Sequence, residues 1–337
     1  MKKWTVIIVG AMLVCTLSFA CTKSKTTRTI EEATDPTELI LGQFNADSAY
    51  NFIKQQVDFG PRVPGSAAHK ACRNYLIDKL RSYNPDSMII QDATVTAFNG
   101  DVLPITNIIA GWNTNAARRV LLVAHWDTRP WSDEETDAEA RLLPVDGAND
   151  GASGVAVLLE IARNMALREP NIGIDIMFAD AEDYGDNSTF DQSESTWCLG
   201  SQYWIKSGMP PYRPGNMPVY GILLDMVGGR NARFHYEYYS QLDARTPTIK
   251  VWSEASNLGY SDVFVRRVGA AVTDDHIFIT RAGIPTTNII ENLNEQTQSF
   301  APTWHTNSDN LENIDRNSLK AVGETVLNVI YKEKQYE

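Results

Sequence analysis

A chain of 337 residues with 43% hydrophobic and 21% charged content can bury one large α/β core, which excludes a string of small modules. Its 30 basic and 42 acidic residues leave a net charge of −12, which repels phosphate backbones and excludes nucleic acid as a partner. A negative field suits substrates with a positive amine, although solubility alone is a sufficient reason for it.

Lys2 and Lys3 precede an apolar run over residues 6–17, too short and too one-sided to span a bilayer as a permanent helix. Residues 1–20 read as an export signal cleaved after Ala20. Ser18 and Ala20 suit an ordinary cleavage site, while Cys21 suits bacterial lipid attachment. A membrane-anchored lipoprotein and a free periplasmic enzyme of a Gram-negative-type bacterium are therefore both open. The polar stretch after Cys21 reads as a flexible tether over residues 21–36, followed by a catalytic domain over 37–337. Cys15 leaves with the signal, so Cys72 and Cys198 form either one disulfide or two buried thiols.

Ala49, Phe52, Ile53 and Val57 share a helical face over 47–59, with Asp47 as a possible cap. Ala71, Tyr75, Leu76 and Leu80 do the same over 67–83, with Ser66 as its cap. Paired Pro and Gly residues in Phe59-Gly60-Pro61-Arg62-Val63-Pro64-Gly65-Ser66 break the chain between them. Strand-like runs follow at 88–98, 103–110, 120–124, 174–179, 220–224 and 285–290, interleaved with helical segments such as 152–165 and 319–331. That alternation predicts an α/β fold with a mixed, largely parallel central sheet and helices on both faces. Ligands in such sheets sit beyond the carboxyl ends of the strands. Two polar insertions, 132–147 and 184–195, leave from those ends and are long enough to wall a pocket.

Chemistry-bearing residues collect at the same ends. Run 120–124 ends in His125-Trp126-Asp127, where residues 125 and 127 project to one side, so one can ligate a metal and the other orient it. Gly147-Ala148-Asn149-Asp150-Gly151-Ala152-Ser153-Gly154 leads into a helix. Capping by Asp150 or Ser153 accounts for one polar residue there, but the small residues imply a backbone that passes close to something, such as a metal with its substrate. Run 174–179 ends in Asp180-Ala181-Glu182-Asp183, and adjacent carboxylates repel unless a cation or a shared proton holds them. A metal ligand beside a general base produces such a pair. Asp225 follows run 220–224, Asp274-Asp275-His276 precedes an apolar stretch, and Trp304-His305-Thr306 supplies a last ligand candidate. Of five His, three fall in these motifs, and His69 and His235 do not. Imidazole with carboxylate and no Cys cluster fits zinc in an open catalytic site, and manganese or cobalt also match by ligand type.

In order and composition these motifs resemble the zinc aminopeptidase and glutaminyl cyclase superfamily. The chain is more similar to the cyclases, because aminopeptidases usually carry Ser where Asp274 stands and lack a Trp at position 304, and Phe300 falls where the cyclases carry a pocket aromatic. The resemblance implies a zinc-aminopeptidase-like single domain that converts the N-terminal Gln of peptides or proteins to pyroglutamate with loss of ammonia. It implies Asp150, Asp183 and His305 as ligands of one zinc, Glu182 as general acid/base, and Asp225 and Asp274 as a carboxylate network around the reacting amine. Phe300, Trp304 and Trp126 would wall the pocket. Two features depart from the animal enzymes, which carry Glu where this chain has Asp183, and a Trp shortly after the acidic pair whose place Trp197 would fill. His125 and Asp225 leave open a two-zinc aminopeptidase, in which Glu182 activates water, and a binding protein that has lost its chemistry is a third reading. A monomer is expected.

Overall fold

The computed structural model describes residues 44–188 and 194–335. The expected leader, the anchor at Cys21 and the tether lie outside the described residues, as does part of the second insertion, 189–193. Eight strands are present among them: β1 (Ser87–Thr96), β2 (Val102–Trp112), β3 (Arg119–His125), β4 (Gly173–Ala179), β5 (Tyr220–Leu224), β6 (Phe234–Tyr236), β7 (Phe264–Val268) and β8 (Thr286–Ile289). Six of them form one sheet in the order β1-β2-β4-β3-β5-β8. β1, β2 and β4 pair antiparallel, whereas β4, β3, β5 and β8 run parallel.

The helices are α1 (Ala46–Val57), α2 (Ala67–Arg81), α3 (Ala152–Leu167), α4 (Leu199–Lys206), α5 (Tyr238–Asp243), α6 (Arg245–Asn257), α7 (Asp275–Arg281) and α8 (Arg316–Lys332). They cover both faces of the sheet, and β3 shows why. Val120, Leu122 and Ala124 pack into the larger core with residues of α1, α2, α3 and α8. Leu121 and Val123 alternate to the other face and join Trp204 of α4 and Ile279 of α7. A strand buried on both sides reads as a near-continuous apolar run, which is what made β3 and β5 readable, and β4 too despite Asp175 within it. Each Leu or Val fully buried there contributes about 1.5–3 kcal/mol relative to exposure.

Several local expectations are corrected. Asn45, not Asp47, caps α1, its side chain accepting the Ser48 amide, while Asp47 pairs with Arg316 across to α8. Ser66 does cap α2, accepting the His69 amide at 3.0 Å. In α1, Ala49, Phe52 and Ile53 face inward as expected, joined by Gln56, whose amide donates to the Ala152 carbonyl. Cys72 and Cys198 are separate buried thiols. The unanticipated β6 and β7 form a small second sheet, and both are too short for a periodic signal.

Candidate active site

The carboxyl ends of β3, β4 and β5 deliver His125, the Asp180–Asp183 turn and Asp225 to one place. Three other segments converge on them: the turn before α3 with Asp150, the start of α7 with Asp274, and the loop after β8 with His305. Donor atoms of Asp150, Asp183 and His305 all lie within 4.8 Å of one another. His305 Nε2 is 3.1 Å from Asp183 Oδ1 and 3.8 Å from Asp150 Oδ2. Its other nitrogen, Nδ1, lies 3.1 Å from Asp133 Oδ1. An imidazole with one nitrogen in a carboxylate cluster and the other on an orienting carboxylate is the usual arrangement of a metal ligand. Asp133 is itself gripped by both ends of the Arg129 guanidinium, at 2.7 and 2.6 Å.

His125 belongs to a second cluster. Its Nε2 is 2.9 Å from Asp150 Oδ1 and 3.2 Å from Asp225 Oδ1, so Asp150 is shared between the two groups. Glu182, Asp274 and Cys198 make a third, with the Cys198 thiol donating to Glu182 Oε1 at 3.3 Å. The Asp274-Asp275-His276 motif divides, since Asp274 enters this group while His276 turns away to Glu237.

Buried like charges dominate the electrostatics. Burial drives Glu182 well above the usual carboxylate range, and Asp274, Asp183 and Asp275 add to it against the pull of His125. Asp183 is pushed up to about 6, by burial and then by Asp150. Asp274 rises well above its ordinary value through burial, Asp225 and Asp275. Burial works to lower His305, but Asp183 and Asp133 outweigh it and lift it to about 9. Asp183 Oδ1 is buried without a hydrogen-bond partner. An orphaned anionic oxygen, a second carboxylate and an oriented imidazole fit a zinc ion, whose charge would remove the repulsion.

The site is braced from behind by buried side chains, some from the expected motifs (Asp127, Arg62, Asp180) and some from outside them (Asp309, His69). The Asp127 carboxylate accepts the amides of Glu182 and Asp183, each at 3.1 Å. Asp309 does the same for Asn149 and Asp150, at 2.8 and 3.0 Å. Buried Arg62 donates to the carbonyls of Asp146, Gly147 and Trp126. Asp180 is held by His69, whose Nε2 lies 3.0 Å from both carboxylate oxygens and whose ring stacks on Trp126.

The small residues before α3 answer to the protein's own atoms. A Cβ on Gly151 would come within 2.6 Å of the His125 ring, and one on Gly154 within 2.1 Å of the Leu224 carbonyl oxygen. Neither Asp150 nor Ser153 caps the helix. Gly151 occupies that position, and Ser153 Oγ instead bridges the Asn149 carbonyl and the Val227 amide.

A pocket of about 210 Å³ opens over these groups, with Asp150, Glu182, Asp183, Asp225 and His305 in its lining. Its apolar walls include Trp197, Val272, Ile290, Phe300 and Trp304. Trp304 stacks on His305 with ring centroids 3.8 Å apart, and Phe300 leans on Trp304 at 4.6 Å. Trp197 packs where a side chain at Gly185 would stand, with the Arg129 guanidinium 4.9 Å from its ring. Trp126 is not a wall, because it alternates away from His125 and Asp127 into the core and donates its indole N–H to the Thr106 carbonyl.

Comparison with known proteins places this arrangement. Residues 107–330 match Peptidase family M28. A glutaminyl cyclase from Bacteroides thetaiotaomicron, solved with N-acetylhistamine, is 49% identical with a TM-score of 0.82, covering 87% of this chain and 99% of its own. A leucine aminopeptidase precursor from the same organism is 48% identical with a TM-score of 0.81, over 87% and 99%. The glutaminyl-peptide cyclotransferase of Bos taurus is 24% identical over 77% of this chain and 74% of its own length.

Proposed function

Because the chain belongs to peptidase family M28, we propose from its pocket how it performs the reaction of its cyclase relatives. The protein is a glutaminyl cyclase, converting the N-terminal Gln of peptides to pyroglutamate with release of ammonia. The observation that carries the assignment of roles is the meeting, in one aromatic-walled pocket, of an Asp150–Asp183–His305 donor set with Glu182, a carboxyl that burial keeps proton-hungry.

Asp150, Asp183 and His305 would hold one zinc ion, which when bound supplies electrophilic pull on the γ-carboxamide oxygen of the substrate. The substrate's own α-amine is the nucleophile. Its nitrogen forms a bond to the γ-carboxamide carbon while the bond from that carbon to the amide nitrogen breaks. Glu182 takes a proton from the attacking amine and returns one to the leaving nitrogen, so ammonia departs and the carboxyl is restored. A raised proton affinity suits both halves of that exchange. Asp225 and Asp274 complete the acceptors around the neutral, attacking amine. Trp197, Phe300 and Trp304 exclude water, which competes with the amine as a nucleophile.

A second reading rests on the His125–Asp150–Asp225 cluster, which offers three donors for a second metal and so favours a two-zinc aminopeptidase. The purified domain, given a Gln-initiated and a Leu-initiated peptide, separates the two by product mass and zinc content. Loss of ammonia with one zinc per chain supports cyclisation as assigned. Loss of the first residue with two zincs supports the aminopeptidase, and unchanged peptides support a binding protein.

The basic-then-apolar leader and Cys21 support export. We assign Cys21 to the lipid anchor of a membrane-bound lipoprotein of a Gram-negative-type bacterium, with a free periplasmic enzyme as the alternative. Radiolabelled fatty acid should enter the wild-type chain and not a Cys21→Ala variant. We also propose a monomer, which sedimentation of the soluble domain checks.

A further inference from the structure

The loop that follows β8 walls two cavities at once. Ile290, Phe300 and Trp304 face the active pocket. Glu291 and residues 301–303 face a second cavity of about 560 Å³, which the reaction does not use. Its other side is the segment between β5 and β6, with Arg230 and Arg233. Both sides are fixed by the fold. The Arg230 amide donates to the Asn313 carbonyl at 3.2 Å, the Asn294 amide donates to the Ser299 carbonyl at 2.8 Å, and Arg233 pairs with Glu295 from one side to the other.

Two groups in this cavity are left open. Glu291 is 3% exposed, and burial lifts its carboxyl above the ordinary range. Its Oε1 accepts the Arg233 backbone amide at 3.3 Å and the Asn294 side-chain amide at 3.1 Å, while Oε2 accepts nothing from the described residues. An acceptor so enclosed costs free energy unless water or a ligand brings the donor. Arg230 is exposed, and no carboxylate among the described residues pairs with its guanidinium. The two together suit a ligand that carries an N–H and an anion. A peptide has both, with N–H groups along its backbone and a carboxylate on any Asp or Glu, and the neighbouring pocket already receives one end of such a chain. The volume lies within the range of about 300–1,000 Å³ typical of ligand pockets. At roughly 3.3–3.6 Å per extended residue, a chain held by its first residue at Glu182 crosses the 301–303 rim within about three to five residues.

We propose that this cavity is a subsite for the residues downstream of the N-terminal Gln, with Glu291 Oε2 accepting a backbone N–H and Arg230 pairing with an acidic side chain. The proposal rests on the cyclase reading above and narrows its substrates to peptides that carry Asp or Glu shortly after the first residue.

The test uses the zinc-loaded enzyme and Gln-initiated hexapeptides of Ala, amidated at the end, with Asp, Ala or Lys placed in turn at positions three to six. Each kcat/KM is divided by the same enzyme's value for Gln-Ala amide, which is too short to reach the cavity. At one position Asp should exceed Lys by about threefold or more, the scale of an exposed ion pair, and the gain should lie in KM with kcat unchanged, as for uniform binding. Arg230→Glu should reverse that order. Glu291→Gln keeps the two existing bonds with its carbonyl oxygen and sets an NH₂ where Oε2 stood, so KM should rise several-fold for every hexapeptide relative to Gln-Ala amide. No ammonia from Gln-Ala amide with the wild-type enzyme overturns the cyclase reading itself. Normal release from it, with Asp, Ala and Lys equal at all four positions, overturns the subsite alone, and so does an Asp preference that survives Arg230→Glu. If Glu291→Gln does not fold, the exposed Arg230 decides.

Discussion

The paired strands β3 and β4 bury charge at both ends, by opposite means. At the start, Arg119 meets Asp175 through two parallel hydrogen bonds of 2.9 and 2.7 Å, and the Tyr212 hydroxyl donates to the same carboxylate at 2.8 Å. The side chains of the pair are 3% and 1% exposed. Gly111 and Gly173 leave it room, since a Cβ at either would fall within 2.7 Å of its atoms. At the finish, carboxylates gather around His125 and His305, and the neighbouring cation Arg129 is bound to Asp133. The first end closes its charge balance with protein atoms. The second leaves it open for a cation and a substrate amine, and that imbalance is the reactive capacity of the molecule.

The largest effect should come from stripping the metal. A chelator should abolish turnover while the Arg119 end keeps the chain folded, and added zinc should restore it. In the metal-free protein His305 holds a proton up to about pH 9 and Asp183 up to about pH 6. Both groups must be unprotonated to ligate, so zinc affinity should climb as pH rises toward 9 and binding at pH 7 should release a proton. Calorimetry in two buffers of different ionisation enthalpy measures that release, and none detected at pH 7 would break the picture of an open charge balance.

Glu182→Gln comes next. Turnover should fall by about 10²–10⁴-fold, the range for a lost general base, with zinc retained. Melting should stay level or rise, because a buried repulsive charge is gone. Preserved turnover would take Glu182 out of the reaction.

At the other end, Arg119→Met leaves Asp175 buried and unpaired, which should lower unfolding stability by about 3–5 kcal/mol while turnover per folded molecule is unchanged. The double change Arg119→Met with Asp175→Leu should recover most of that loss in chemical denaturation. A double variant as unstable as the single would show that the pair acts through packing instead of charge.

The smallest effect tests the orientation of His305. Asp133→Asn should weaken zinc by about 10–100-fold without unfolding the chain, read by competition with a chromogenic chelator. Unchanged affinity would leave Asp133 as no more than a partner for Arg129.

Much of this was legible in the residues because β3, β4 and β5 are buried on both faces and so read as mostly apolar runs, and the chemistry-bearing residues follow where each run ends. The same reasoning misplaced Trp126. The period of two that puts His125 and Asp127 together sends residue 126 to the opposite side, and its ring belongs to the core. Asp133 and Asp309 went unseen because loop residues carry no period and their partners can be distant, such as Asp309 to Asn149, and the pairing of His69 in α2 with Asp180 went unseen because the two are 111 residues apart. Asn45 and Asp47 are equally good caps by type, and only the path of the preceding residues decides between them. The glycines before α3 were correctly read as a close approach, but the neighbour was the His125 ring.

Asp127 has one more implication. One carboxylate clasps the amides of both Glu182 and Asp183, so the two side chains proposed as base and ligand spring from one braced stretch of backbone. Loop motion cannot slide one past the other. A different spacing between an ion and a proton carrier at these two positions would then require a change of side-chain length at 182 or 183.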